Sequence, residues 1–169
     1  MKENVFRPMR RKRQELPKEV CEEILRQGTS GVLALLGEND YPYAVPLSYV
    51  YCDGHLYFHS ALRGHKVDAI RQCDKASFCV IDQDCVKPKE FTTYFRSVIA
   101  FGRISIVEDD THKLQTLRLL AERYNPNDEE GFRHEVQKDF NHVLMMDFMI
   151  EKLSGKEAIE LTRNRQTNE

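Results

Sequence analysis

From residue 17 onward the chain alternates between one helical pattern and a series of strand-like ones. Pro17 suits a first helical position, Val20, Ile24 and Leu25 form one apolar stripe, and Gly28 closes it, which predicts a short helix over residues 17–27. The period then changes. Residues 32–36 are continuously apolar, 37–40 are turn material, and 43–51 read as a second strand. Asp53-Gly54 is a strong hairpin signal joining that strand to a third over 55–60. A short helix over 64–72, with Val67 and Ile70 inward, precedes a strand over 76–81. Polar residues 82–90, with Pro88 among them, predict a loop. Residues 91–107 are the longest strand candidate, with a bulge or close backbone approach expected at Gly102. Asp109 or Asp110 can cap a helix whose stripe is Leu114, Leu117, Leu120, Ala121 and Tyr124, and Asn125-Pro126-Asn127 stops it. A weaker helical pattern covers 128–140. Residues 143–151 alternate as a last main strand, followed by Gly155 and a polar tail.

The first three strands follow one another through tight turns, with no room for the crossover helices that parallel pairing requires. The pattern therefore predicts a mainly β chain with added helices: a six-stranded antiparallel barrel, helices outside it, in one domain over 1–169. A basic arm (1–15) leads in and a tail (156–169) leads out. In the second strand Tyr43, Val45, Leu47 and Tyr49 alternate with Ala44, Pro46, Ser48 and Val50, so both faces are largely apolar. One face can line the barrel; the other needs a helix, a ligand or a second subunit over it. Pro46 lacks an N–H, which places part of this strand on an edge.

Composition narrows the function classes. The 169 residues carry a net charge of −2 with pI near 6.3, so the chain lacks the general basic field of a nucleic-acid binder. The local run Arg7, Arg10, Arg11, Lys12 and Arg13 reads either as a solvated arm or as one reaching an anionic ligand or a second subunit. No apolar stretch approaches a membrane span, and the charged start has no hydrophobic segment behind it, so a cytoplasmic location is expected. Cys21, Cys52, Cys73, Cys79 and Cys85 are odd in number and contain no CxxC pair, consistent with reduced thiols.

The most informative stretch runs from His59 to Ile70. A strand ends, Ser60 offers a hydroxyl, Arg63 and Lys66 offer charge, and a helix begins at Gly64-His65-Lys66. Helix starts present free N–H groups and suit a phosphate, although a capped helix with solvated cations gives the same letters. In Thr92–Val98, Arg96 beside Ser97 reads either as a second phosphate or ribityl contact or as half of a salt bridge. Tyr43, Tyr49, Phe58 and Phe95 are flat surfaces for a planar ring or simply core. His55 and His59 stand too far apart on one strand face to chelate one ion, so no metal site is expected. No Ser elbow, Walker loop or GxGxxG is present.

At these residues the chain resembles the nitroimidazole-resistance branch of the pyridoxamine 5′-phosphate oxidase-related, FMN-binding split-barrel superfamily. The matching pieces are Met9-Arg10-Arg11-Lys12, Gly31-Val32-Leu33-Ala34-Leu35, Tyr41 to Val50, Asp53-Gly54, Tyr57-Phe58-His59-Ser60-Ala61, Gly64-His65-Lys66, Phe91 to Val98, Gly102 and Ser154-Gly155-Lys156-Glu157-Ala158. The resemblance implies a six-stranded antiparallel split β-barrel and a homodimer with one FMN per subunit at the interface. It implies that Val45, Pro46, Leu47, Ser48 and Tyr49 run along the flavin rings. His59, Ser60, Ala61, His65 and Lys66 would hold the phosphate and flavin edge, and Arg96, Ser97 and Val98 would complete the pocket. His65 would be the catalytic proton donor or substrate contact. The expected activity is an FMN-dependent reduction of a small electron-poor molecule, such as a nitro compound, fed by a nicotinamide. The alternative is a flavin or haem binder without catalysis, with His59 or His65 as an axial ligand.

Overall fold

The computed structural model describes residues 6–167, with side chains as far as Arg165; the first five residues of the basic arm and the last two of the tail lie outside the described residues. Seven strands form one sheet: β1 (Ser30–Leu36), β2 (Pro42–Ser48), β3 (Val50–Cys52), β4 (His55–Ala61), β5 (Lys75–Lys87), β6 (Thr92–Ile106) and β7 (Val143–Glu157). Their order is β2-β1-β5-β6-β7-β4-β3, antiparallel throughout. The helices are α1 (Lys18–Gln27), α2 (His65–Gln72), α3 (Asp110–Tyr124), α4 (Glu129–Asp139) and α5 (Ile159–Thr167).

The two edge strands, β2 and β3, are a single stretch of chain interrupted at Tyr49. Because they are joined, the sheet has to curl until its edges meet, yet no ladder joins them. The six expected strands are thus seven, and the barrel is left open between its two edges, in keeping with the split barrel that the resemblance implies. Tyr49 explains the break. Its N–H leaves the ladder for Thr29 O (3.3 Å) and the Tyr124 hydroxyl (3.2 Å), while its fully buried ring donates from Oη to Leu25 O at 2.8 Å. On one side of Tyr49 the chain pairs with β1; on the other it pairs with β4. Pro46 does lie on an edge strand. Asp53 and Gly54 both have positive φ (46° and 84°), as the tight hairpin turn requires.

Two strands outrun their sequence signals. β5 continues to Lys87 through what reads as a loop, and with β6 forms an arm turned by Pro88–Glu90. Beyond Ile81 and its bulge this arm pairs only with itself, so both faces meet solvent and the apolar alternation fades. β7 extends through Glu157, because β6 offers partners from Ile106 back to Arg96. Gly102 sits opposite a bulge in β7, where Glu151 is left without a partner, and a Cβ at Gly102 would lie 2.0 Å from Met149 O. The backbone approach anticipated there is therefore a packing requirement. The polar tail becomes α5.

Leu33, Tyr49, Leu56, Phe58, Phe78, Val98 and Phe148 fill the barrel, closed at one side by Ile24 and Leu25 of α1. A second cluster beneath α3 contains Val50, Tyr57, Val107, Leu120 and Met145. α3 keeps Leu117, Leu120, Ala121 and Tyr124 of its expected stripe inward but is rotated at its start. Leu114 is exposed, whereas the stem of Lys113 and Thr116 are buried. At the end of β7, fully buried Glu157 receives Arg96 (3.2 Å) and Arg165 of α5 (3.1 Å), and its carbonyl accepts from Gln14 Nε2 at 2.9 Å. Leu16 N–H to Gly155 O (2.9 Å) adds a further tie between the end of the basic arm and this strand.

Removing the carboxylate would leave two guanidinium groups facing an empty, mostly buried position. Glu157→Ala is expected to cost about 3 kcal/mol of unfolding free energy, measured by urea denaturation. A variant as stable as the parent would show that the arm, β7 and α5 are not tied through this group.

Candidate functional site

The break at Tyr49 opens a wedge between β2 and β4. Two more steps of the β3–β4 register (Val50↔Tyr57) would set Ser48 opposite His59, but β2 has by then turned to β1. The wedge widens from Ser48 back to Pro42, roughly 20 Å at strand rise. α2 begins at its wide end, where the His65 ring stacks on Tyr43 with centroids 4.0 Å apart. Gly64 has φ of 136°, a turn that a side chain would strain, and its carbonyl accepts from the N–H groups of Val67 and Asp68. The N–H groups before these have no helical partner. Exposed Arg63 and half-buried Lys66 flank them, and among the described residues neither has a carboxylate partner. This is an anion-receptive helix start with two uncommitted cations.

At the narrow end lies a cavity of about 620 Å³. Ser48 and His59–Ala61 form one wall and Leu117, Leu120, Ala121 and Tyr124 of α3 a second. Phe132, Glu135, Val136 and Asp139 of α4, with Phe140, His142 and Val143, complete it. Tyr124 stitches the seam beside it, its hydroxyl lying 2.6 Å from Thr29 O and 2.7 Å from Tyr49 O while accepting the Tyr49 N–H. Ser60 is buried, and its Oγ has no hydrogen-bond partner. Strand alternation groups that hydroxyl with Leu56 and Phe58, at the barrel's end between the cavity and the α2 start.

α4 covers the cavity without burying any residue of its own. Asp128 caps it, accepting from Gly131 N–H at 2.9 Å. α3 holds it at both ends. Arg118 pairs with Glu129 and lies 4.5 Å over the Phe132 ring; Lys113 donates to Phe140 O at 2.6 Å and lies 4.3 Å over its ring. The weak helical pattern over 128–140 carries this face in its letters, since Phe132, Val136 and Phe140 stand four apart, the spacing of a helix face.

The expected site residues separate into four groups. Ser48, His59, Ser60 and Ala61 meet at the cavity; His65 and Lys66 lie at the wide end of the wedge. Along β2, Val45, Leu47 and Tyr49 face the barrel while Pro46 and Ser48 face outward. Arg96, Ser97 and Val98 are elsewhere in the chain. Arg96 is held by Glu157 and Asp82, Val98 is core, and Ser97 lies on the outer sheet face. Away from the wedge, Asp147 takes His55 Nδ1 at 2.6 Å and lies 3.7 Å from His112 Nε2. Burial, with Asp147 nearby, pushes the Tyr57 hydroxyl up to about 12. Burial likewise raises Tyr49, the neighbouring Tyr124 phenol adding to it, so both hydroxyls stay protonated donors. Among the described residues no three metal-ligating side chains converge, and no helix is long and apolar enough to cross a membrane.

A family model described as pyridoxamine 5′-phosphate oxidase matches residues 17–157, from the start of α1 to the end of β7. The chain belongs to that family. No curated protein matches the sequence significantly. Solved structures share the fold of this family member. A candidate 5-nitroimidazole antibiotic resistance protein from Bacteroides thetaiotaomicron is 18% identical with a TM-score of 0.69, over 85% of this chain and 86% of that one. An FAD-binding protein from Mesorhizobium loti is 26% identical, TM-score 0.60, over 86% and 97%. An FAD and heme binding protein from Mycobacterium smegmatis is 20% identical, TM-score 0.74, over 86% and 73%. The resemblance read from the motifs therefore has counterparts in both the family and the fold, and flavin-binding proteins stand among the structural relatives.

Because the Tyr124 hydroxyl serves three backbone groups at the seam, Tyr124→Phe is expected to lower stability by about 2 kcal/mol. It should also speed amide exchange at Tyr49, read by hydrogen–deuterium exchange. Unchanged protection there would remove Tyr124 from the seam.

Proposed function

We propose that this protein is an FMN-dependent oxidoreductase whose flavin lies along the wedge, phosphate at the start of α2 and rings toward the His59 end. The observation that carries this reading is the pairing of two uncommitted cations at a helix start with an unpartnered buried hydroxyl, Ser60, and a cavity just beyond it. The length of the wedge suits a mononucleotide tail and ring system in line. Lys66, Arg63 and the free N–H groups would bind the phosphate. The outward backbone and small side chains of Pro46 and Ser48 leave room for a flat ring beside β2. When bound, the flavin supplies the electron-transfer chemistry; the chain orients it, keeps water out and admits the acceptor. With the phosphate at α2, His65 is at the tail end and His59 at the ring end. The proton-donating role anticipated for His65 is therefore assigned to His59. The acceptor is a small electron-poor molecule, of which nitro compounds are one kind, and the reductant a nicotinamide.

The same reading calls for a homodimer. On the outer sheet face the register sets Pro46, Val32, Cys79, Ile99 and Ser154 in one row and Ala44, Ala34, Ser77 and Phe101 in the next. Val32, Ile81, Ile99 and Phe101 are all exposed there, and neither row carries a charge before Lys152. Such a face suits burial against a second copy, which would also bring Ser97 and its neighbours to the partner's flavin.

A haem-binding reading has one observation in its favour, the placement of His59 and His142 on the wall of the cavity. A Soret band in the purified protein would select it.

The expected outcome is a yellow protein, bleached by NADH or NADPH and recoloured by a nitroaromatic. Lys66→Ala should weaken FMN retention about tenfold or more with little change in melting temperature; full retention would refute its phosphate role. His59→Ala should keep the flavin and slow its reoxidation by acceptor more than His65→Ala does, and equal rates would return the assignment to His65. Ile99→Asp should halve the mass seen by light scattering, and an unchanged mass would place any interface elsewhere.

A further inference from the structure

We infer that the cavity beneath α4 accepts a flat apolar ring carrying a protonated nitrogen and turns away phosphorylated molecules. This rests on the flavin reading in one respect: the rings lie along β2 and leave the α4 side of the cavity to the acceptor. The carboxylates Glu135 and Asp139 are the formal charges among its described lining side chains. Among the described residues no Lys or Arg lines the cavity. The three cations of α3 nearest to it are committed elsewhere: Lys113 to Phe140 O, Arg118 to Glu129 and Arg123 to Gln27 O at 2.7 Å. What α4 contributes is Glu135 and Asp139, four residues apart at the cavity's edge. Glu135 has no cationic partner among the described residues. Asp139 meets only its neighbour Lys138, at 3.4 Å, a side chain turned to solvent and outside the lining.

A phosphate monoester, carrying nearly two negative charges at neutral pH, would enter apolar walls and meet two carboxylates with no cation to offset them. The basic groups of the lining, His59 and His142, are exposed single imidazoles and form no bidentate fork. A ring bearing an ammonium or protonated ring nitrogen meets the reverse situation. Its flat part lies against Phe132 and Phe140, rings that already hold Arg118 and Lys113 at 4.5 and 4.3 Å, and its charge falls toward Glu135 and Asp139. The phosphorylated amine that gives the family its name is thus a poor match for the cavity of this member, whose one phosphate-receptive place is the α2 start at the other end of the wedge.

The test is calorimetric titration of the purified, flavin-loaded protein at pH 8 with three probes of one shape: 2-naphthylmethylamine, 2-naphthalenemethanol and 2-naphthylmethyl phosphate. Flavin released into an ultrafiltrate is measured alongside. The amine is expected to bind roughly fivefold tighter than the alcohol and the phosphate about tenfold weaker than the alcohol. In the double variant Glu135→Gln, Asp139→Asn the amine's advantage should vanish while the alcohol binds as before. Phosphate binding as tight as alcohol binding, an amine preference that survives the double variant, or expulsion of flavin by the probes would each overturn the inference. A purified chain that takes up no flavin would sink the flavin reading alone, and the same titration on that chain would still decide the charge preference.

Discussion

The structure depends on one stretch of chain belonging to both edges of one sheet. Residues 42–52 pair with β1 before Tyr49 and with β4 after it, so the sheet must curl, and it must also come apart where the chain changes partner. An unpaired edge inside a protein is costly unless its polar groups find other partners. Here the Tyr49 N–H and C=O are met by Tyr124 and Thr29, and the Tyr49 ring plugs the barrel from within. The wedge between β2 and β4 is the consequence. α2 begins at its wide end, and α3 and α4 roof its narrow end.

Charges are distributed in keeping with that geometry. Where a charge is structural it is paired: Glu157 with Arg96 and Arg165, Arg103 with Asp74 and Glu151, and Asp147 with His55. Around the wedge it is left unpaired, with Arg63 and Lys66 at one end and Glu135 at the other. Two uncompensated patches of opposite sign at opposite ends of one groove are a poor way to stabilise a fold, but they suit a groove that receives an anionic tail at one end and a differently charged molecule at the other. Membership of the family and the fold shared with flavin-binding relatives agree with that arrangement. Fold alone does not choose among chemistries, and the α4 cover is where this chain's own selectivity resides.

Much of the architecture was legible in the letters, and the exceptions share a cause. The helices at α1, α2 and α3, the Asp53-Gly54 hairpin, the edge position of Pro46 and the tight approach at Gly102 follow from local rules: caps, periodicity, positive φ and the absence of a side chain. The arm of β5, the far half of β7 and the rotation of α3 onto Lys113 do not. In the arm the partner strand across the Pro88–Glu90 turn supplies the hydrogen bonds, and in β7 and α3 a partner far along the chain does so. Lys113 is buried only because Phe140, twenty-seven residues on, presents its oxygen there.

The same division runs through the site. The sequence by itself determined the helix start with its hydroxyl and two cations, since Ser60, Arg63, Gly64 and Lys66 are neighbours along the chain and their geometry is local. Only the tertiary structure decided that Arg96 belongs to Glu157, that His59 and His65 stand at opposite ends of one groove, and that α4 closes the cavity with carboxylates toward it. Those outcomes depend on where a strand leaves one partner for another, and hydrophobic periodicity is blind to that choice because both partners bury the same faces.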